Sequence, residues 1–166
     1  MQHEAIAQLA ATPGTLAHLV AEAADAVLDA VAPGQWSART LLAHFRDDEY
    51  LCMRVALERM LAEETPMLRF IDGADWEPKR RRSRDRKEWL LGDFALQRQA
   101  SVAILRGLDQ VDWERTGQTA ERGVFTIASF VDAWARHDAE HIASLESALG
   151  ETLAEARARR ARREER

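Results

Sequence analysis

The sequence predicts an all-α protein, an antiparallel bundle of four main helices. Four stretches carry apolar residues at spacings of three and four, which places them on one face of an α-helix. Turn and N-capping residues separate the stretches, and strand-like alternation never exceeds a few residues. With 166 residues and a 46% apolar composition, the chain fits one domain with its own core. Ligand sites in such bundles form between facing helices.

The first two helices are predicted over residues 4–31 and 38–63. Pro13 lies inside the first, and we expect a kink or break there, because proline lacks an amide hydrogen and clashes with the preceding turn. Pro33-Gly34 is predicted to end this helix. Ser37 is predicted to be the N-cap of the second helix. The inward face predicted for the second helix consists of Leu41, His44, Asp48, Leu51 and Val55.

A long connection, residues 65–85, leads to a third helix predicted over residues 86–108. Connections of this length are unusual and often functional, so this one could cover a site. The inward face of the third helix contains a polar residue in mid-stripe, within the series Leu91, Phe94, Arg98, Val102 and Leu105.

The fourth helix follows a connection rich in Gly, Thr and Glu and begins after Thr126, a predicted N-cap. Gly150 is predicted to end it. The bundle domain is therefore predicted over residues 1–150, followed by a basic C-terminal tail at 151–166. The predicted inward stripe of the fourth helix consists of Ile127, Val131, Trp134, His137, His141, Leu145 and Ala148.

The charge distribution limits the classes of partner. A net charge of −5 argues against nucleic-acid binding by the chain as a whole. Of the two basic runs, we interpret residues 79–87 as a solvated loop, with an anionic ligand as the alternative, and residues 157–166 as a solvated helix end. No stretch is long and apolar enough to span a membrane, and the N-terminus lacks signal-peptide features. We therefore expect a cytoplasmic protein that does not contact membranes.

Three histidines indicate a metal site. His137 and His141 are four residues apart and point the same way from one helix, and His44 faces inward from another. Three imidazole nitrogens are the ligand set of an open zinc-type site. A single buried histidine is more often a hydrogen-bonded core residue, but three inward-facing ones favour a metal. His3 and His18 lie off these faces, and we expect neither to bind it.

Neighbouring residues leave several alternatives open. Residues 137–141 also fit the H-x-x-E-H pattern of inverted zinc peptidases, but too little chain follows to supply their further acidic ligand. Cys52 is a soft ligand by type, yet about 12 Å of helix separates it from His44, so we expect it in the core. Asp47 and Asp48 could be a fourth ligand, a partner of a ligand or a general base; the simpler interpretation is a surface carboxylate paired with arginine.

These residues carry a family resemblance. The segment 36–49, which reads Trp-Ser followed by His44, Asp47 and Glu49, resembles the W-S-x-x-x-x-x-x-H-L-x-D-x-E motif of DinB-like proteins. Trp134 with His137-x-x-x-His141 resembles the second metal motif of that family. The resemblance extends to about Gly150 and includes Phe94 with Arg98 and the opening around Pro13.

The resemblance implies a bundle that binds one divalent metal through His44, His137 and His141. We expect zinc or nickel, with iron or manganese as alternatives. Some relatives are thiol S-transferases or isomerases that use bacillithiol, mycothiol or glutathione, and homodimers are common. Only two of the 23 basic residues are lysine, a bias typical of a high-GC genome that weakly favours mycothiol or bacillithiol. Arg98, or the loop 80–86, is then expected to bind the carboxylates of the thiol.

Three classes of function follow. The first is a metal-dependent transferase or hydrolase acting on a small molecule with a low-molecular-weight thiol, with Asp47 and Asp48 as the catalytic carboxylates. The second is a non-catalytic metal-binding stress-response protein without an assigned activity. The third, a nucleic-acid or regulatory module built on the basic runs, is the weakest. We therefore expect the partner to be a small molecule rather than nucleic acid, and the resemblance implies a homodimer.

Overall fold

The computed structural model describes residues 2–31, 34–80 and 82–164, and it confirms the all-α four-helix bundle. Two long helical segments, α1 (Gln2–Leu19) and α3 (Ala38–Asp48), each pack on both α6 (Lys87–Gly107) and α8 (Ile127–Glu164). None of the helices in these ranges is long and apolar enough to cross a membrane. The helices are α1 (Gln2–Leu19), α2 (Asp25–Leu28), α3 (Ala38–Asp48), α4 (Arg54–Ala62), α5 (Gly73–Trp76), α6 (Lys87–Gly107), α7 (Gln110–Glu114) and α8 (Ile127–Glu164), with a π-helical turn at Glu49–Met53 joining α3 to α4.

Helix α1 differs from its prediction at both points of interruption. It runs unbroken through Pro13, and it ends at Leu19 rather than near Val31. A proline at position 13 withholds the amide that would bond to the Leu9 carbonyl, and that carbonyl instead accepts a hydrogen bond from Arg98 Nη1 at 3.0 Å. The bundle therefore supplies the missing donor, and of the predicted kink or break at Pro13 the break is wrong. Pro33, the predicted helix end, lies outside the described residues.

The second predicted helix begins and ends where expected, but its middle is wider than an α-helix. Ser37 is confirmed as the N-cap, accepting a hydrogen bond from the Thr40 amide at 3.1 Å. The π-helical turn inserts one extra residue and rotates the following face. Leu51 and Val55, both predicted to face inward, are 44% and 42% exposed, and the buried residues are Cys52, Met53, Ala56, Leu57 and Met60.

A two-stranded antiparallel hairpin lies between α7 and α8. Strand β1 (Thr116–Thr119) pairs with β2 (Gly123–Thr126), with Thr116 opposite Thr126. The long connection docks on β1, because the Leu68 amide donates to the Gln118 carbonyl and the Gln118 amide donates to the Pro66 carbonyl. Strands of four residues are too short to produce a recognisable alternation, so the hairpin was not predicted.

The basic run at residues 79–87 is partly built into the fold. Asp85 is buried and forms ion pairs with Arg46 of α3 and with Arg80 of the same connection. The exposed Arg82 and Arg84 fit the predicted solvated loop, whereas Arg80 does not. The connection is therefore anchored to α3 through Arg46.

The last two long helices confirm most of the predicted pattern. Phe94, Arg98, Val102 and Leu105 are buried on α6. The Thr126 hydroxyl accepts from the Ser129 amide at 3.2 Å and so caps α8 as predicted. The stop predicted at Gly150 is wrong, because α8 continues to Glu164.

The core consists of two apolar clusters separated by a polar layer. Leu9, Met53, Val102 and Trp134 belong to one cluster, and Leu16, Phe45, Phe94 and Leu145 belong to the other. Between them, every long helical segment contributes to the layer. Its residues are Thr12, Glu49, Arg98, Ser101 and Asp138.

Candidate metal centre

The three predicted histidines converge beside the polar layer. His44 projects from α3, and His137 and His141 project from α8. One ring nitrogen of each lies within 4.8 Å of the others, and the Nε2 atoms of His137 and His141 are 3.1 Å apart. His3 and His18 lie on exposed parts of α1, outside this group. The arrangement is the one that the two sequence motifs predict.

Burial keeps at least two of the rings in the neutral, metal-binding form. Burial, together with the nearby rings of His141 and His137, lowers the pKa of His44 to about 3. Burial and the nearby His137 lower the pKa of His141 to about 4. Together with His137, these two rings bring three imidazole nitrogens close to one another, and such a donor set is suited to one divalent cation.

Two tryptophans enclose the histidines on one side. The Trp36 ring lies 5.1 Å from the His44 ring and stacks on His141 at 6.5 Å, between centroids. Trp76 lies 5.4 Å from His44 and comes from α5 in the long connection, which therefore covers the site as expected. Gly73, also in α5, lies so close to Trp36 that an added Cβ would be 2.6 Å from the indole ring. Only glycine fits there without displacing Trp36.

The structure places Asp48 nearer to the histidines than Asp47. Asp48 Oδ2 is 3.7 Å from His137 Nε2, and burial raises the pKa of Asp48. Asp47 accepts hydrogen bonds from Trp76 Nε1 at 3.0 Å and from Arg46 Nε at 2.6 Å, so the partner foreseen in the simpler interpretation is present. Both carboxylates lie beside His44 in a small pocket, and their catalytic roles stay predictions.

Cys52 is in the core, as expected. Its Sγ accepts a hydrogen bond from the Ile71 amide at 3.4 Å, and burial raises its pKa to about 12. A thiol this far from ionisation is a poor metal ligand at neutral pH. The group of converging metal-binding atoms found among the described residues comprises the three histidines without Cys52.

Arg98 is the sequence-predicted site residue whose surroundings differ most from expectation. Its side chain is 2% exposed, and its guanidinium bonds to Glu49, Asp138 and the Leu9 carbonyl. These contacts use Nε, Nη1 and Nη2, so binding the carboxylate of a thiol would require an ion pair to be exchanged. That role stays a prediction.

A large cleft opens onto the histidines. It has a volume of about 1210 Å³ and lies between the long connection, the hairpin and α8. Aromatic rings form one wall, with Phe130 6.0 Å from Phe70 and 5.7 Å from Trp134 between centroids. The charged side chains that line it include Arg69, Arg122, Arg136, Glu121 and Glu140. A small molecule in the cleft would reach the histidine nitrogens from the solvent side.

The fold and the site together define a four-helix bundle with three converging histidines between its helices. The model of the DinB superfamily matches residues 8–145, and the chain belongs to that superfamily. No curated protein sequence matches it. Among solved structures, it is similar to YfiT from Bacillus subtilis, described as a probable metal-dependent hydrolase with an unusual four-helix bundle topology. The two share 22% identity with a TM-score of 0.81, over 92% of this chain and 87% of YfiT, which shows a common fold.

Proposed function

We propose that the protein is a metal-dependent hydrolase or group transferase that acts on a small molecule. The single observation that carries this proposal is the convergence of His44, His137 and His141 at the base of an open cleft. Three imidazole ligands would leave coordination positions open, and a divalent ion held by them would supply Lewis acidity to a bound reactant. Zinc or nickel suits the all-nitrogen donor set, with iron or manganese as alternatives.

Asp48 is the group we assign to proton transfer. Its carboxylate lies within 3.7 Å of the His137 ring, and burial shifts its pKa upward, toward the range in which a carboxylate is an effective base. Asp47 instead holds the indole of Trp76 and the guanidinium of Arg46. We therefore assign Asp47 to orienting the wall of the site.

The cleft favours a substrate with an apolar part and at least one anionic group. Phe70, Phe130 and Trp134 provide an apolar wall. Arg69, Arg122 and Arg136 line the same cleft and form no ion pair with any residue in the described part of the chain. Carboxylates of a low-molecular-weight thiol, such as mycothiol or bacillithiol, could bind these exposed arginines without breaking an internal ion pair.

The alternative is a non-catalytic metal-binding stress-response protein. A storage or structural site is closed around its metal, whereas this one faces a cleft of about 1210 Å³. The open cleft is the reason we prefer an enzyme.

The homodimer and the cytoplasmic location remain part of the proposal. Sedimentation of the purified protein tests whether it is a homodimer.

The test is turnover by the metal-loaded protein. Ester, thioester and amide hydrolysis and the transfer of a thiol to an electrophile are measured for the parent, His137→Ala and Asp48→Asn. The proposal predicts activity in the parent, no activity without metal or in His137→Ala, and a loss of about 100-fold or more in Asp48→Asn with metal retained. His18→Ala, a histidine variant on the exposed face of α1, is the matched control and should keep full activity. Metal binding without turnover would support the alternative.

A further inference from the structure

One guanidinium joins all four long helical segments at the level of the metal site. Arg98 on α6 donates from Nε to Glu49 Oε2 at 2.9 Å and from Nη1 to the Leu9 carbonyl at 3.0 Å. It forms a bidentate pair with Asp138, at 2.5 Å from Nη1 and 3.2 Å from Nη2. Glu49 belongs to the π-helical turn, Leu9 to α1 and Asp138 to α8.

The two carboxylates that Arg98 binds are each held by a second donor. Ser101 Oγ donates to Glu49 Oε1 at 2.6 Å, and Thr12 Oγ1 donates to Asp138 Oδ2 at 2.7 Å. Buried carboxylates with several donors have one low-energy orientation, because each lost hydrogen bond leaves a desolvated charge. The backbone at Glu49 and at Asp138 is therefore fixed relative to α6.

One fixed point adjoins His137 on α8, and the other lies five residues after His44, directly beyond the end of α3. Asp138 directly follows His137 and precedes His141 by three residues, and Glu49 begins the π-helical turn directly after Asp48. The rings themselves touch none of the Arg98 nitrogens, since the Arg98 hydrogen bonds are all made to Glu49, Leu9 and Asp138. Arg98 can therefore act on the histidines only indirectly, through the helices and through the Asp138 carboxylate, whose Oδ1 lies 4.0 Å from His137 Nδ1.

We propose that Arg98 is a positioning residue of the three-histidine site: it fixes α8 against the π-helical turn so that His137 and His141 face His44. Pro13 contributes to this, because it leaves the Leu9 carbonyl free to accept from Arg98. The inference rests on the proposed function and adds a residue that orients the metal-binding histidines.

The test compares Arg98→Lys with the parent in two measurements. Lysine keeps the charge but cannot form the bidentate pair or reach three partners in fixed geometry. In cobalt titrations against a competing chelator, Arg98→Lys should weaken binding by about tenfold or more, the range known for groups that orient metal ligands. The visible absorption spectrum of the bound cobalt should also change, because the positions of the nitrogens change.

The second measurement needs no metal. In the metal-free parent, ring protons of His44 and His141 should show NMR cross-relaxation, because their ring centroids are 4.6 Å apart. Arg98→Lys should weaken or abolish this signal. A parent that binds no cobalt contradicts the proposed function alone, whereas an unchanged ring signal in a folded Arg98→Lys overturns the positioning role.

Two controls separate positioning from general loss of structure. Arg115→Lys makes the same change where the guanidinium donates to the Met60 and Glu63 carbonyls, away from the histidines, and should leave cobalt affinity and spectrum unchanged. If Arg98→Lys does not fold, Thr12→Val removes a single donor to Asp138 and should give a smaller shift in the same direction. Wild-type affinity, spectrum and ring signal in Thr12→Val would then refute the proposal.

Discussion

Replacing Asp138 with alanine should destabilise the metal-free protein strongly. Asp138 accepts two hydrogen bonds from Arg98 and one from Thr12, and all these groups are buried. Removing Asp138 takes away one of the two carboxylates that pair with Arg98 and leaves Arg98 Nη2 without its hydrogen-bond acceptor, and breaking a buried ion pair costs about 3–5 kcal/mol. For a chain of this size, about 1 kcal/mol corresponds to roughly 2–4 °C in Tm, so we expect Tm to fall by about 6–20 °C.

The assay is thermal and urea unfolding with a chelator present, so that metal binding does not contribute. Asp25→Ala is the matched control, because Asp25 also pairs with an arginine, Arg39, but its side chain is 83% exposed. An exposed pair contributes about 0–1 kcal/mol. Equal and small effects of the two substitutions would refute the reasoning that the polar layer is held by buried charge.

Three further outcomes are expected. The metal-free parent should lose stability as the pH falls from 7 to 5, and His44 should account for about 2 kcal/mol of the loss. The reason is that the unfolded His44 ring takes a proton near pH 6.5, whereas the folded ring, with a pKa of about 3, stays neutral. In urea unfolding, the stability of His44→Ala should therefore depend less on pH over that range. Gly73→Ala should destabilise by about 1–3 kcal/mol and change tryptophan fluorescence, since its Cβ would collide with Trp36, whereas Gly92→Ala in open space on α6 should be neutral or stabilising. Asp48→Asn should lose the acid limb of the parent's pH–rate profile, and a profile that keeps this limb would contradict the role of Asp48 as the base.

The histidine set could be predicted because its geometry is local. The spacing of His137 and His141 fixes their common direction on a helix, and His44 lies on the inward face of a helix with a clear N-cap. Both inferences depend only on α-helical periodicity, in α8 and in α3 before the π-helical turn. The fold class was predictable for the same reason.

The register after Asp48 could not be predicted, because periodicity assumes an unbroken α-helix. One inserted residue at Glu49–Met53 moves Leu51 and Val55 outward and brings Cys52 inward. Glu49, the first residue of the turn, pairs with Arg98, which lies 49 residues further along the chain. No local propensity reports such a partner.

The roles of the charged residues were the hardest to infer. A polar residue in an apolar stripe identified Arg98 as unusual, but the sequence does not show that Glu49 and Asp138 occupy its donors. Asp138 was missed, although its position beside His137 on a helix with a buried face was the available signal. Likewise, the sequence does not separate Arg80, which pairs with the buried Asp85, from the exposed Arg82.

The most direct test of the account is the metal content of the protein purified without a histidine tag, measured by elemental analysis. We expect about one equivalent of zinc or nickel per chain, lost in His44→Ala, His137→Ala and His141→Ala and retained in His18→Ala. A parent without metal, or metal that persists after all three substitutions, would contradict the account and leave the three histidines as members of the core.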